Sequence, residues 1–283
     1  MPRPLDGVRV LDFTRVLAGP HATRMLCDLG AEVIKVEPPV GDLTRFGQPR
    51  LNSLATYFIQ QNVGKLNVSL NLDDERGVDI ARRLAAISDV VIENFRPGVM
   101  ARLGLGYEQL AASNPRLVYA SISGYGATGP WVDRRAYAPV VNAEAGITKH
   151  QGDVRGGAYA NDPFSHGDVY TGMETAAAIL AALLQRERTG RGQFVDVSMA
   201  ETLLYVNEKM RSISSALGTE RAHAARIWLN SRRFASRDCT SMNRGSFSRS
   251  LRPIAPQNHS KFVFDAGCPL TTTTLPSAVV STG

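Results

Sequence analysis

Cysteine is scarce in this chain. Cys27, Cys239 and Cys268 are the only three among 283 residues and none forms a CxxC pair, so neither a disulfide framework nor a cysteine-ligated metal site is expected. Long apolar runs are missing as well. The longest, residues 176–184, falls far short of the roughly 20 residues that a bilayer core demands. The opening "MPRPLDGVRV" lacks the charged-then-apolar pattern of a secretory signal. A cytoplasmic protein with no membrane partner is therefore expected. Three familiar site signatures are absent too. "RVLAGPHAT" has one glycine where the dinucleotide fingerprint has three, which argues against NAD, and "GYGATGP" (124–130) lacks the GK[ST] ending of a phosphate loop. The second stretch reads as a tight connection after a strand. No GxSxG elbow supports a serine hydrolase.

What is present is an ordinary globular composition, 43% hydrophobic and 20% charged, with enough apolar residues to bury a core. The net charge of +6 is unevenly spread. Residues 211–283 hold ten Lys and Arg against three acids, a local +7 that leaves −1 for residues 1–210. The basic segment lacks regularly interleaved aromatics, so no nucleic-acid partner is expected.

Strand and helix patterns alternate along the first 210 residues. "VRVLDF" (8–13) and "AEVIKVE" (31–37) are β-rich and enclose a helical stretch with Pro20 at its start and Gly30 past its end. "LNVSLNL" (66–72) alternates apolar and polar residues as a strand with one wet face does, and Asp73 or Asp74 can cap the helix that follows. "DVVIENF" and "LVYASIS" read as buried strands around a short helix near residues 107–112. A long helix is expected from Tyr170 to Arg188 with Gly190 as its C-cap, then a strand in "QFVDVSM" and a helix in "AETLLYVNEKM". The alternation predicts an α/β fold, Rossmann-like, with a mostly parallel sheet and helices on both faces. From Arg211 onward the composition shifts to 12 Ser and seven Thr in 73 residues. Residues 1–210 are read as one large domain and 211–283 as a divergent, disordered Ser/Thr/Arg-rich tail.

Asp168, in "SHGDVYTGM", stands just before the long helix. Position alone favours a helix N-cap, and the same position would keep a reactive carboxylate ionised beside free backbone N–H groups. His166, two residues earlier, reads as a surface or hydrogen-bonding residue.

"LDGVRVLDFTRVLAGPHATRMLCDLGAEVIKVEPPVGDLTR", "DVVIENFRPGVMARLGLGYEQL", "NPRLVYASISGYG", "GDVYTGM" and "RTGRGQFVDVSMAE" resemble, in order and spacing, the signatures of the class III CoA-transferases. That family includes formyl-CoA transferase and carnitine CoA-transferase, and the resemblance runs from about Pro4 to about Asn207. It implies transfer of coenzyme A from an acyl-CoA donor to a carboxylic acid, with CoA as substrate and no permanently bound cofactor. Asp168 matches the family nucleophile, which forms an aspartyl anhydride and then a thioester. Val16, Leu17 and Ala18 match the segment at the CoA thiol end. Leu70, Asn94, Phe95 and Arg102 match positions around the nucleotide and pantetheine, and Arg135 and Tyr137 a basic residue and a tyrosine near the nucleophile.

The resemblance also implies a homodimer of interlocked chains. The family's small domain and C-terminal return are expected to be largely missing, with residues from about 211 arising from a truncated or shifted reading frame. Two alternatives stand beside the transferase, a non-catalytic CoA-binding remnant and an acyl-CoA racemase of the same superfamily. The racemase signature GHD would fall near Tyr137, where the sequence reads "RRAYAPVVN" and offers no histidine as base.

Overall fold

The computed structural model describes residues 1–207 apart from Pro163. The expectations for residues 211–283 lie outside the described residues.

The elements follow in chain order. β1 (Arg9–Asp12), α1 (Ala18–Asp28) and β2 (Glu32–Glu37) come first, then a 3-10 turn (Leu43–Phe46) and the hairpin β3 (Arg50–Leu51) and β4 (Leu54–Ala55). Next are α2 (Thr56–Asn62), β5 (Leu66–Ser69), α3 (Glu75–Ala86), β6 (Val90–Glu93), α4 (Val99–Arg102), α5 (Tyr107–Ser113) and β7 (Val118–Ser123). The last are α6 (Ala138–Glu144), α7 (Ile147–Val154), α8 (His166–Thr189), β8 (Phe194–Ser198) and α9 (Met199–Val206).

Six strands form one parallel sheet in the order β5-β2-β1-β6-β7-β8. The period of two divides each strand between two cores. Val10, Val33, Val90, Ile92, Val118 and Ala120 pack with α1 and α8 residues such as Leu26 and Ile179. Leu11, Val36, Val91 and Tyr119 point the other way, toward Ala81 and Ala85 of α3, Met100 of α4 and Leu110 of α5. Burying a side chain as completely as Ile179 contributes about 1.5–3 kcal/mol. This is the doubly wound architecture expected from the alternation. Its strand order reverses between β1 and β6, and in such sheets the crevice at the carboxyl edge of the reversal point is where ligands bind.

Several local features match their signals. Asp74 caps α3 by accepting from Arg76 N, and α8 ends on Gly190 at φ 72°. Other expectations need correction. α8 begins at His166, four residues before the expected start, and its N-cap is Ser165. Asp168 is therefore the third residue of the first turn and does not cap the helix. Asp162 does that work instead, its carboxylate accepting from Phe164 N (3.1 Å) and His166 N (2.9 Å). Pro20 is the third residue of α1, where a missing N–H still costs no helical bond. β5 is shorter than the alternating run, and Leu66 is exposed because the strand lies at the sheet edge.

Candidate active site

The loop from β1 to α1 crosses the carboxyl edge at the reversal point, and its backbone is held from several sides. Thr14 N donates to Asp12 Oδ1 (2.8 Å), and Thr14 O accepts from Lys35 Nζ (2.8 Å). The Asn94 side chain brackets Arg15, accepting from its N (2.8 Å) and donating to its O (2.8 Å). Val16 N donates to Asp42 Oδ2 (3.2 Å). Val16 itself sits at φ 68°, a left-handed conformation that is unfavourable for a β-branched residue by about 1–3 kcal/mol. Such strain persists only where the surroundings over-determine the backbone, and here they do.

Beneath the loop lies a buried charge network. Lys35 and Asp42 side chains are 1% and 0% exposed, with Lys35 Nζ 3.4 Å from Asp42 Oδ2. Lys65 Nζ lies 3.2 Å from Asp12 Oδ2, which also accepts from Thr23 Oγ1 (2.6 Å). Burial works against ionisation of Asp12, but the charges of Lys65 and Lys35 and the Thr14 and Thr23 hydroxyls hold its carboxyl below the usual range. For Asp42, burial is likewise outweighed by the Thr44 N–H, Lys35 and the Val16 N–H. Buried charges so paired are costly to break one at a time.

Asp168 faces this loop from the first turn of α8. Burial pushes its carboxyl up to about 6, against the opposing pull of the Ala18 N–H at the start of α1. The two helices approach closely because Gly172, one turn after Asp168, has no side chain. A Cβ there would stand 2.6 Å from Ala18 O and 3.1 Å from His21 Cβ. Gly167 allows a similar approach on the other side, where a Cβ would lie 3.2 Å from Ala138 Cβ of α6. Tyr57 on α2 completes the surroundings. Burial, and then the charges of Asp168 and Asp42, push its hydroxyl well above the usual tyrosine range, so it remains a proton-bearing donor.

The predicted site residues fall into two groups. Val16 and Leu17 lead into the N-terminus of α1 at Ala18, which packs on the first turns of α8 at Gly172, and Tyr137 immediately precedes Ala138, the residue packed on Gly167. Leu70 and Phe95 line a small crevice, open to solvent, together with Phe13, Arg15, Val36 and Glu37. The Arg15 guanidinium stacks over the Phe95 ring at 4.9 Å, and Asn94 stands between the two groups through its bonds to Arg15. Arg102, at the end of α4, and Arg135 are exposed. Glu37, at the position of a ribose-binding acid, is engaged by Arg45 (2.6 and 2.7 Å), Asp42 N (2.8 Å) and Asn67. Among the described residues no cluster of His, Cys, Asp and Glu could hold a metal ion, and no helix is long and apolar enough to cross a membrane.

Sequence reasoning missed Lys35, Asp42 and Tyr57. A lysine inside the apolar strand "AEVIKVE" was an available signal for the buried network. Nothing in "ATYFIQQN" marks Tyr57 apart from its neighbours.

The pattern defines a Rossmann-type α/β protein with a semi-buried carboxylate facing a helix N-terminus beside the reversal-point crevice. The model of CoA-transferase family III matches residues 5–239, and the chain belongs to that family. It is 47% identical over 203 residues to succinyl-CoA:glutarate CoA-transferase of Mus musculus, covering 70% of this chain and 45% of that protein. It is 45% identical over 208 residues to formyl-CoA:oxalate CoA-transferase of Streptomyces avermitilis, covering 72% and 50%. Among solved structures, a CAIB/BAIF family protein from Brucella suis superposes with a TM-score of 0.72 at 37% identity, over 77% of this chain and 59% of that one. The chain thus spans about half the length of the curated relatives it matches.

Proposed function

We propose that this chain transfers coenzyme A from an acyl-CoA donor to a carboxylic acid, with Asp168 as the nucleophile. The observation that carries the reading is the half-buried Asp168 carboxylate in the first turn of α8, which packs through Gly172 on the N-terminus of α1. With its pKa near 6, the group is about nine-tenths ionised at pH 7 and more basic than an exposed aspartate. Both properties suit a carboxylate asked to act as a nucleophile.

The steps balance as follows. An Asp168 carboxylate oxygen attacks the thioester carbonyl, the C–S bond breaks, and CoA leaves as thiolate with a mixed anhydride formed on Asp168. The thiolate attacks the aspartyl carbonyl and expels the donor acid as carboxylate, leaving an aspartyl thioester. The acceptor carboxylate attacks that thioester, giving a new anhydride and thiolate. Thiolate attack on the acceptor's carbonyl then releases the product thioester and regenerates Asp168. Each tetrahedral oxyanion calls for hydrogen-bond donors fixed in advance, and the Ala18 N–H and the protonated Tyr57 hydroxyl are the nearby candidates. Val16 and Leu17 would flank the thiol end. Leu70, Asn94, Phe95 and Arg15 would hold the nucleotide and pantetheine in the crevice, with Arg102 as a phosphate partner and Arg135 and Tyr137 at the mouth.

The reading includes a cytoplasmic homodimer, for which light scattering of purified protein is the direct test. The main experiment is incubation with succinyl-CoA followed by mass spectrometry of the peptide carrying residue 168. A CoA or succinyl adduct on Asp168, absent from Asp168→Asn, is expected. A folded protein that binds CoA without forming an adduct would make the chain a non-catalytic CoA-binding module instead.

A further inference from the structure

We propose that Glu93 is a positioning residue for the CoA crevice, acting by fixing the Asn94–Phe95 segment that keeps the Arg15 guanidinium over the Phe95 ring. The inference rests on the reading of that crevice as the CoA nucleotide site. Glu93 ends β6 at the carboxyl edge and is 5% exposed. A carboxyl group so buried is costly unless it is bonded. This one bends forward along the chain, its Oε2 accepting from Phe95 N at 2.7 Å. The bond closes the strand end into a tight turn, from which the Asn94 side chain grips Arg15, accepting from its N and donating to its O, both at 2.8 Å. The Arg15 guanidinium then returns to the Phe95 ring, 4.9 Å from its centroid. The end of β6 and the loop from β1 to α1 thus form a closed ring of contacts around one wall of the crevice.

No hydrogen bond or ion pair among the described residues fixes the guanidinium itself. Its Nε is buried without a partner, and Glu37, which shares the crevice, is bound to Arg45 instead. The place of the Arg15 charge therefore depends on the ring beneath it and on the backbone that Asn94 holds, and both follow from the turn that Glu93 closes. Across the sheet, Ser121 of β7 and Asp196 of β8 stand in the same row as Glu93. Asp196 serves the next loop, accepting from Ala127 N at 2.9 Å, and Glu93 alone among the described residues accepts from Phe95 N. Without that acceptor the Phe95 N–H would turn toward water, Asn94 would move off Arg15, and ring and guanidinium would separate.

The test is the affinity of the full-length protein for CoA, measured by calorimetry, together with solvent exchange of the Arg15 Nε–H, followed by nitrogen-15 NMR and assigned with Arg15→Lys. Glu93→Ala should weaken CoA binding about tenfold, as loss of one hydrogen bond to a charged group does, and should speed the exchange. Glu93→Gln keeps a carbonyl acceptor for Phe95 N–H and should bind within about threefold of the wild type, with the exchange unchanged. Because Glu93 acts through Phe95, the Glu93→Ala/Phe95→Ala pair should bind no more than about twofold more weakly than Phe95→Ala alone. A folded Glu93→Ala protein in which either affinity or exchange is unmoved, equal losses in the Ala and Gln variants, or additive losses in the pair overturns the proposal. If Glu93→Ala does not fold, Glu93→Leu, which fills the space without an acceptor, takes its place. Failure of both to fold makes Glu93 a purely structural residue and overturns the proposal. A wild type that binds no CoA defeats the nucleotide reading, and the Arg15 signal then decides the positioning role. Faster exchange in Glu93→Ala but not in Glu93→Gln supports it, and any other pattern overturns it.

Discussion

At pH 7 the Asp168 carboxyl is ionised in a site that resists the charge, and this has opposite consequences for activity and for stability. Burial raises its pKa from 3.8 to about 6, so the reactive form is lost on acidification. The rate of adduct formation should fall about tenfold per pH unit below pH 6, read as the acid limb of kcat/KM. For stability the sign is reversed. A carboxyl with a raised folded-state pKa favours folding fully below its unfolded value, near 3.8, and that contribution disappears as pH rises through 6. Asp168→Asn removes the penalty of the buried charge and keeps an acceptor for Ala18 N–H. It should abolish transfer yet raise stability at pH 7–8 by on the order of 1–3 kcal/mol, an advantage that vanishes below about pH 4. Denaturant melts of the two proteins at pH 7.5 and pH 4 check this, and a variant less stable than wild type at pH 7.5 would contradict it.

Between elements, the decisive contact is that of α1 with α8, where Gly172 lets the turn after Asp168 lie against Ala18 and His21. A methyl group at residue 172 would have to push Ala18 O away from 2.6 Å. Gly172→Ala should therefore cost about 1–3 kcal/mol of stability, as overpacking does. On the proposed reading it should also lower kcat for adduct formation more than it raises KM for the donor, because it shifts the N-terminus of α1 relative to Asp168 while leaving the Phe95 crevice in place. Equal kinetics in a folded variant would show that the helix spacing is irrelevant to the chemistry. These contacts are also where the sequence became hard to read. The β-α-β alternation was legible because strands such as "DVVIENF" are covered on both faces and lie between helical periods and turn residues. α6 and α7 were not, since residues 138–154 mix short apolar pairs with Gly146, whose φ of 79° separates two helices of seven and eight residues. Asp168 was visible through the family resemblance, but its role as cap was misassigned. A carboxylate near a helix start looks the same in sequence whether it caps that helix or, as here, sits inside its first turn. The Lys35–Asp42 pair joins residues seven apart through a loop, and no periodicity announces such a contact.

For the whole molecule, the question is which part of a long ligand the described residues can hold. Apart from Arg102, Arg135 and Tyr137, the residues proposed to meet CoA lie on one carboxyl edge, from the Val16 loop and Leu70 through Asn94 and Phe95, and all fall inside the matched segment 5–239. This chain spans about half the length of the relatives it matches, so binding and transfer are separable properties that respond differently to mutation. CoA at a hundred times its Kd should stabilise the folded chain by about 2.7 kcal/mol, a rise of roughly 5–10 °C in Tm for a domain of this size. Asp168→Asn should keep that shift, since in the proposed reaction the carboxylate meets the thioester and not the nucleotide. Phe95→Ala should reduce it, because it removes the ring that faces the crevice and carries the Arg15 guanidinium. Dephospho-CoA should give a smaller shift than CoA if Arg102 meets the 3′-phosphate, and Arg102→Gln should erase that difference. A folded wild-type chain whose Tm ignores millimolar CoA would remove the crevice as the nucleotide site, and with it the binding half of the transferase reading.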